Sequence, residues 1–211
     1  METRHRNRLP ARRPSSKYPK RRILLVVEGA VTEKKYFEGL IATLRTAIVE
    51  FKVLGGVGVP MTIVETAVRV KRSARERSLA EQDDYLNFNE VWCVFDVDQH
   101  PKIPDAIRLA GQQNIQLAIS NPCFELWLWL HFAEAPGART SQELQTMLRA
   151  YIPEYRKHVR FADLEAGVEA AIVRASRLEE LAKSAGDELR NPCTGVWRLA
   201  KTIQSKTDKT A

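Results

Sequence analysis

The stretch Ile23-Leu24-Leu25-Val26-Val27-Glu28-Gly29 decides how this chain folds, together with its counterpart Val91-Trp92-Cys93-Val94-Phe95-Asp96-Val97-Asp98. Each is a short β-branched or aromatic run that stops on acids. Runs of this length, apolar at consecutive positions, read as strands of a parallel sheet buried on both faces. Open α/β sheets bind their ligands beyond the carboxyl ends of the strands. Glu28, Asp96 and Asp98 therefore fall where such a fold does its chemistry. Three clustered carboxylates raise one another's pKa values unless a cation neutralises them. Hard oxygen donors of this kind suit Mg²⁺ or Mn²⁺.

Working outward from these runs, strands and helices alternate as far as residue 135. Thr32-Glu33 opens an amphipathic helix whose apolar positions are Tyr36, Phe37, Leu40, Ile41 and Leu44. Phe51–Leu54 reads as a short second strand, followed by the loop Gly55–Gly58. Pro60 suits the first turn of a long second helix reaching about Asp83. After the strand at 91–96, a helix is expected over 105–113 and a fourth strand over 115–119. Ser120-Asn121-Pro122 then reads as the cap of a helix that is apolar nearly all round, with Phe124, Leu126, Trp127, Leu128, Leu130 and Phe132. Beyond residue 136 the pattern is helical only, over 141–150, 163–184 and 192–204. The expected architecture is a mostly parallel four-stranded α/β sheet over 23–135, flanked by helices, with a helical C-terminal extension over 136–211.

The charge is uneven. The chain carries +7 overall, but residues 1–22 hold nine Lys and Arg against one Glu. The rest balances at 24 basic and 25 acidic side chains. The excess sits in a Pro/Ser/Arg-rich arm too polar to form a core. Arg12, Arg13, Lys17, Lys20, Arg21 and Arg22 of this arm suit phosphate contact, or else form a solubilising tail. Arg69, Lys71, Arg72 and Arg75, with Arg77, form a second basic stretch along the long helix, read as a nucleic-acid contact or a solvated face. The cluster Arg156-Lys157-His158-Val159-Arg160 is less informative. Neither an 18-residue apolar run nor an apolar leader follows the basic start, so a cytoplasmic protein without membrane contact is expected. Cys93, Cys123 and Cys193 lack metal spacing and read as small core hydrophobes.

Among the acids, Glu28 suits metal binding or general-base work. Glu33 and Glu125 each have more than one reading. Glu33 is a further site acid or a favourable charge at a helix N-terminus. Glu125 is a metal ligand, an orienting group or part of a capping box. Asp96 and Asp98 share one face if the strand continues through both. Such a D-x-D pair occurs in haloacid-dehalogenase-type phosphatases, sugar-nucleotide transferases and Toprim nucleases. The separate Glu-Gly strand, some seventy residues earlier, disfavours the phosphatase. His131 reads as a buried, hydrogen-bonded histidine.

Four blocks, VVEGAVTEKKYFEGL (26–40), VFDVDQH (94–100), ISNPCFELWLWLHF (119–132) and NPCTGVWRLA (191–200), together resemble the RloB-like family. The resemblance spans about residues 20–204. It implies a Toprim-like domain and bacterial defence or restriction–modification neighbourhoods. Glu28, Asp96 and Asp98 would then serve Mg²⁺- or Mn²⁺-dependent phosphodiester cleavage. It also implies a partner ATPase encoded nearby; no P-loop appears in this sequence, so any ATPase activity would come from another chain. The expected activity is that of an endonuclease on DNA or RNA, tRNA included, in an anti-phage, abortive-infection system. The alternatives are a non-catalytic subunit that binds nucleic acid or senses a trigger, and a phosphohydrolase of small nucleotides. Self-association into a homo-oligomer stays open.

Overall fold

A computed structural model of the chain describes residues 21–43, 49–97, 102–153 and 155–205. Asp98 and the arm residues Arg12, Arg13, Lys17 and Lys20 lie outside the described residues.

Five strands form one sheet in the order β2-β1-β3-β4-β5. They are β1 (Arg21–Val27), β2 (Val49–Leu54), β3 (Glu90–Asp96), β4 (Gln116–Asn121) and β5 (Cys193–Thr194). The first four are parallel, and β5 runs antiparallel to β4. Among the described residues seven α-helices accompany them: α1 (Thr32–Thr43), α2 (Pro60–Glu81), α3 (Ile103–Gln112), α4 (Glu125–Leu130), α5 (Ser141–Leu148), α6 (Val168–Ser184) and α7 (Val196–Ser205).

The two central strands carry unbroken apolar runs because both of their faces are covered. Ile23, Leu25 and Val27 of β1 and Trp92 and Val94 of β3 face a core built with α1, α4, α5, α6 and α7. Leu24 and Val26 of β1 and Val91, Cys93 and Phe95 of β3 face a second core under α2 and α3. This alternation fixes where the terminal acid of β3 points. Asp96 has the parity of Trp92 and Val94, so it leaves the strand toward α1 and α4. The C-terminal helices supply much of that layer. Leu144, Val168, Ala171, Ala175, Leu199 and Ile203 join the same core as Tyr36 of α1 and Trp127 of α4. The extension is therefore one face of the α/β unit.

Several local expectations change. Strand β1 starts at Arg21, so Arg21 and Arg22 belong to the sheet. Arg21 pairs with Glu90 at 3.1 Å, and Arg22 lies over the Phe88 ring and donates to the Leu86 carbonyl. The NPC block at 191–193 leads into β5 and not a helix. There the Thr194 hydroxyl meets the buried Ser120 hydroxyl at 2.9 Å. Helix α4 is short, and no side chain caps it. Ser120 is inside β4 and Glu125 bonds elsewhere, so the expected capping box does not form. A capping box does form at α5, where Thr140 and Glu143 bond each other's backbone N–H groups. The helix expected from 163 begins at 168, after two 3-10 turns. All three cysteines are buried and free, and burial pushes the Cys93 thiol up to about 12. His131 is buried, with Nδ1 at 2.9 Å from the Trp127 carbonyl and Nε2 at 3.1 Å from the Tyr36 hydroxyl. The carbonyl can only accept, so Nδ1 carries the proton and Nε2 accepts from Tyr36. Burial, first among its causes, lowers the imidazole pKa to about 4. None of the described helices is long and apolar enough to cross a membrane.

Candidate functional site

In this strand order the connection after β1 goes outward to β2, and the chain then returns to β3 on the other side of β1. The crevice between the carboxyl ends of β1 and β3 is thus the topological switch point, the usual ligand position in open α/β sheets. Glu28 follows β1 there and Asp96 ends β3. The two are tied together. The Glu28 N–H donates to the Val94 carbonyl at 3.0 Å, continuing the β1–β3 ladder. The Asp96 N–H donates to Glu28 Oε2, also at 3.0 Å.

Helices α1 and α4 bring two more acids. Glu28, Glu33, Asp96 and Glu125 all line one cavity of about 240 Å³, closed by residues 29–32, Phe124 and Lys157. Glu33 and Glu125 are only 8% and 5% exposed. Glu33 reaches back from the first turn of α1, and its Oε1 accepts from the Gly29 N–H at 3.1 Å. The absence of a side chain at Gly29 permits this, since a Cβ there would stand 1.9 Å from Glu33 Oε2. Glu125 accepts from the buried Tyr155 hydroxyl at 2.9 Å. Each of the four acids thus accepts from a protein donor, Asp96 from the Phe124 N–H.

The electrostatics follow from crowding. Burial pushes the Asp96 carboxyl well above its ordinary range, and the Glu33, Glu28 and Glu125 carboxylates push it further, against a hydrogen bond from the Phe124 N–H. Glu33 is raised too, chiefly by burial, with Glu125 and Glu28 adding to it. Burial and the neighbouring Glu125 likewise raise Tyr155. This is the condition a divalent cation relieves, and hard carboxylate oxygens are what Mg²⁺ and Mn²⁺ select. Among the described residues, however, no three His, Cys, Asp or Glu side chains stand close enough to share an ion. The donor chemistry fits such a cation, and the rotamers, turned toward backbone and tyrosine donors, do not close on one point.

The basic residues separate. Arg69 lines a different cavity of about 310 Å³, with Arg22, Lys52, Ser73, Arg77 and Phe88. Arg22 is at the start of β1 and Glu28 just past its end, ~20 Å apart at about 3.3 Å per residue. Lys71 donates to the Gln113 and Asn114 carbonyls beyond α3, at 2.8 and 3.2 Å. Arg72 pairs with Glu76 at 3.7 Å, and Arg75 is exposed on the same helix. None of these lines the carboxylate cavity. The segment that does reach it is 155–158, through Lys157 and through Tyr155's hold on Glu125. Its charges are visible in the sequence, but only the folded chain puts them at the switch point.

The fold and site define an open α/β protein with an acidic crevice between its first and third strands. The chain belongs to the RloB-like protein family, whose model matches residues 23–203. Neither the curated proteins nor the solved structures contain a significant match.

Proposed function

We propose that this chain is a Toprim-type, Mg²⁺- or Mn²⁺-dependent phosphodiesterase that cleaves nucleic acid, and that it works in anti-phage defence with a partner ATPase. The observation that carries the reading is the meeting of Glu28, Glu33, Asp96 and Glu125 in one crevice at the switch point. A metal-binding or general-base Glu28 and an ion-holding Asp96 and Asp98 match the order strand-Glu-Gly, then strand-Asp-x-Asp, along the chain. Glu33 and Glu125, fixed by Gly29 and Tyr155, orient the others. A cation held there would withdraw charge from the phosphoryl oxygens during cleavage. The test is cleavage of DNA, RNA and tRNA by the purified chain with Mg²⁺ or Mn²⁺, with and without the protein encoded beside it. Loss of cleavage in Glu28→Gln and Asp96→Asn, with folding intact, supports the reading. No cleavage in any of these mixtures contradicts it.

The other reading is a non-catalytic subunit that binds nucleic acid or senses a trigger. What favours it is that no described trio of acids stands within reach of one ion. Full defence by the Asp96→Asn variant in infected cells would select it. Abolished defence with nucleic-acid binding retained would exclude it.

A further inference from the structure

Segment 149–160 holds three arginines, Lys157 and His158 against one acid, Glu154, which lies outside the described residues. The fold fastens this segment to the acidic crevice at several points. Tyr155 and Val159 are buried in the main core, while Arg156, Lys157 and His158 between them are exposed. The Thr32 hydroxyl, at the head of α1, donates to the Lys157 carbonyl at 2.7 Å. Lys35 Nζ stands 3.3 Å from His158 Nδ1. Lys157 is held at φ 65°, a left-handed conformation that a residue with a Cβ adopts at a cost. Such strain persists where the surroundings over-determine it, and here a hydroxyl and two core anchors do so.

A groove of about 720 Å³ opens beside the segment, lined by Arg149, Pro153, Tyr155, Arg156 and His158. Tyr155 belongs to both places, because it lines the groove and its hydroxyl holds Glu125 of the carboxylate cavity. Arg160 points its charge elsewhere, into a two-pronged pair with Asp163 at 2.8 and 3.0 Å. Arg149 and Arg156 form no ion pair among the described residues. A groove walled by guanidinium groups and an imidazole, beside a cavity of carboxylates, fits a chain of phosphates that passes from one to the other. Arginine binds phosphate oxygens in a two-pronged fashion, and its charge does not depend on pH.

We propose that Arg149, Arg156 and His158 seat the backbone phosphates of a nucleic acid next to the one that enters the carboxylate cavity, with the Tyr155–His158 segment as the wall between the two. This inference rests on the phosphodiesterase reading for what happens in the cavity. The basic groove at Arg69 and Arg77 is then not the seat of the strand being cleaved.

The test separates the two claims by measuring binding without cleavage. The full chain carrying Asp96→Asn is titrated against fluorescein-labelled single-stranded DNA, single-stranded RNA and duplex DNA, by anisotropy over a series of salt concentrations. Adding Arg149→Ala and Arg156→Ala should weaken binding by about tenfold or more and lower the salt slope by about 1 to 2, roughly one for each phosphate that is no longer neutralised. Arg69→Ala with Arg77→Ala should change affinity less than about twofold. Equal binding by the Arg149/Arg156 variant, weakening confined to the Arg69/Arg77 variant, or a parent chain that binds none of the three probes overturns the proposal. Groove-dependent binding in a chain that cleaves nothing would leave the seat standing and remove the phosphodiesterase. Cleavage that persists unchanged in the groove variant would do the reverse.

Discussion

Tyr155→Phe removes one oxygen and tests how the crevice is held. The hydroxyl donates to Glu125 Oε1 at 2.9 Å, and the two residues are 2% and 5% exposed. Phenylalanine keeps the ring in the core beside Val159 and leaves a buried carboxylate without that donor. Hydrogen bonds to charged groups contribute about 1.5–3 kcal/mol, and a buried acceptor left unmade bears most of that cost. In a chain of 211 residues, 1 kcal/mol moves the midpoint by roughly 2–4 °C. The expected fall in Tm is therefore about 3–12 °C by circular dichroism at neutral pH without divalent cations. Tyr155→Ala also empties the ring's site and should lose about 3–5 kcal/mol. A Tyr155→Phe midpoint within about 1 °C of the parent would show that Glu125 does not depend on this donor. The 155–158 segment would then not be coupled to the crevice in the way described.

Gly29→Ala should cost about 1.5–3 kcal/mol, because the new Cβ would stand 1.9 Å from Glu33 Oε2 and turn that buried carboxylate away from the Gly29 N–H. It should also lower cleavage by about tenfold or more, since it drives that carboxylate from its place, and misplacements of this size cost up to about 100-fold. Cleavage at the parent rate would refute a role for Glu33 in the crevice. Stability should also depend on pH with a definite sign. Asp96 and Glu33 titrate higher in the folded chain than their ordinary 3.8 and 4.5. Between the ordinary and raised values the folded chain holds protons that the unfolded chain has released, so stability falls as pH rises through that window and stays lowered above it. Asp96→Asn should flatten this fall and raise the neutral-pH midpoint by about 2–4 °C or more, for ~1 kcal/mol of relieved repulsion. Urea unfolding across the acid-to-neutral range measures it, and an unchanged slope would contradict the crowding.

The strands were legible because a short, β-branched-rich apolar run ending on polar residues is what a buried parallel strand leaves in a sequence, and the alternating helices around the runs told them from a buried helix such as 126–130. Ile23–Val27 and Val91–Phe95 carry that signal, and the acids after them inherit their position from it. Strand β5 was not legible, since two residues, Cys193 and Thr194, make too short a pattern to distinguish from a helix start. The capping reading of Glu125 failed for a different reason. Its partner Tyr155 is thirty residues away, and only tertiary packing decides between a local and a distant donor. The same holds for the basic clusters. The stretch 69–77 has the stronger sequence signal, yet strand direction puts Arg22 and Arg69 at the end of β1 away from Glu28. The weaker cluster at 156–158 is carried to the crevice by contacts with Thr32, Lys35 and Glu125.

The central claim is that the switch-point carboxylates form one cation site. Crystals of the chain soaked in Mn²⁺ test it most directly through anomalous density. The expected result is a single strong peak in the crevice, within coordination distance of Glu28 and Asp96, that disappears in Asp96→Asn. No peak in the crevice at saturating Mn²⁺, or one that survives the substitution, would contradict it.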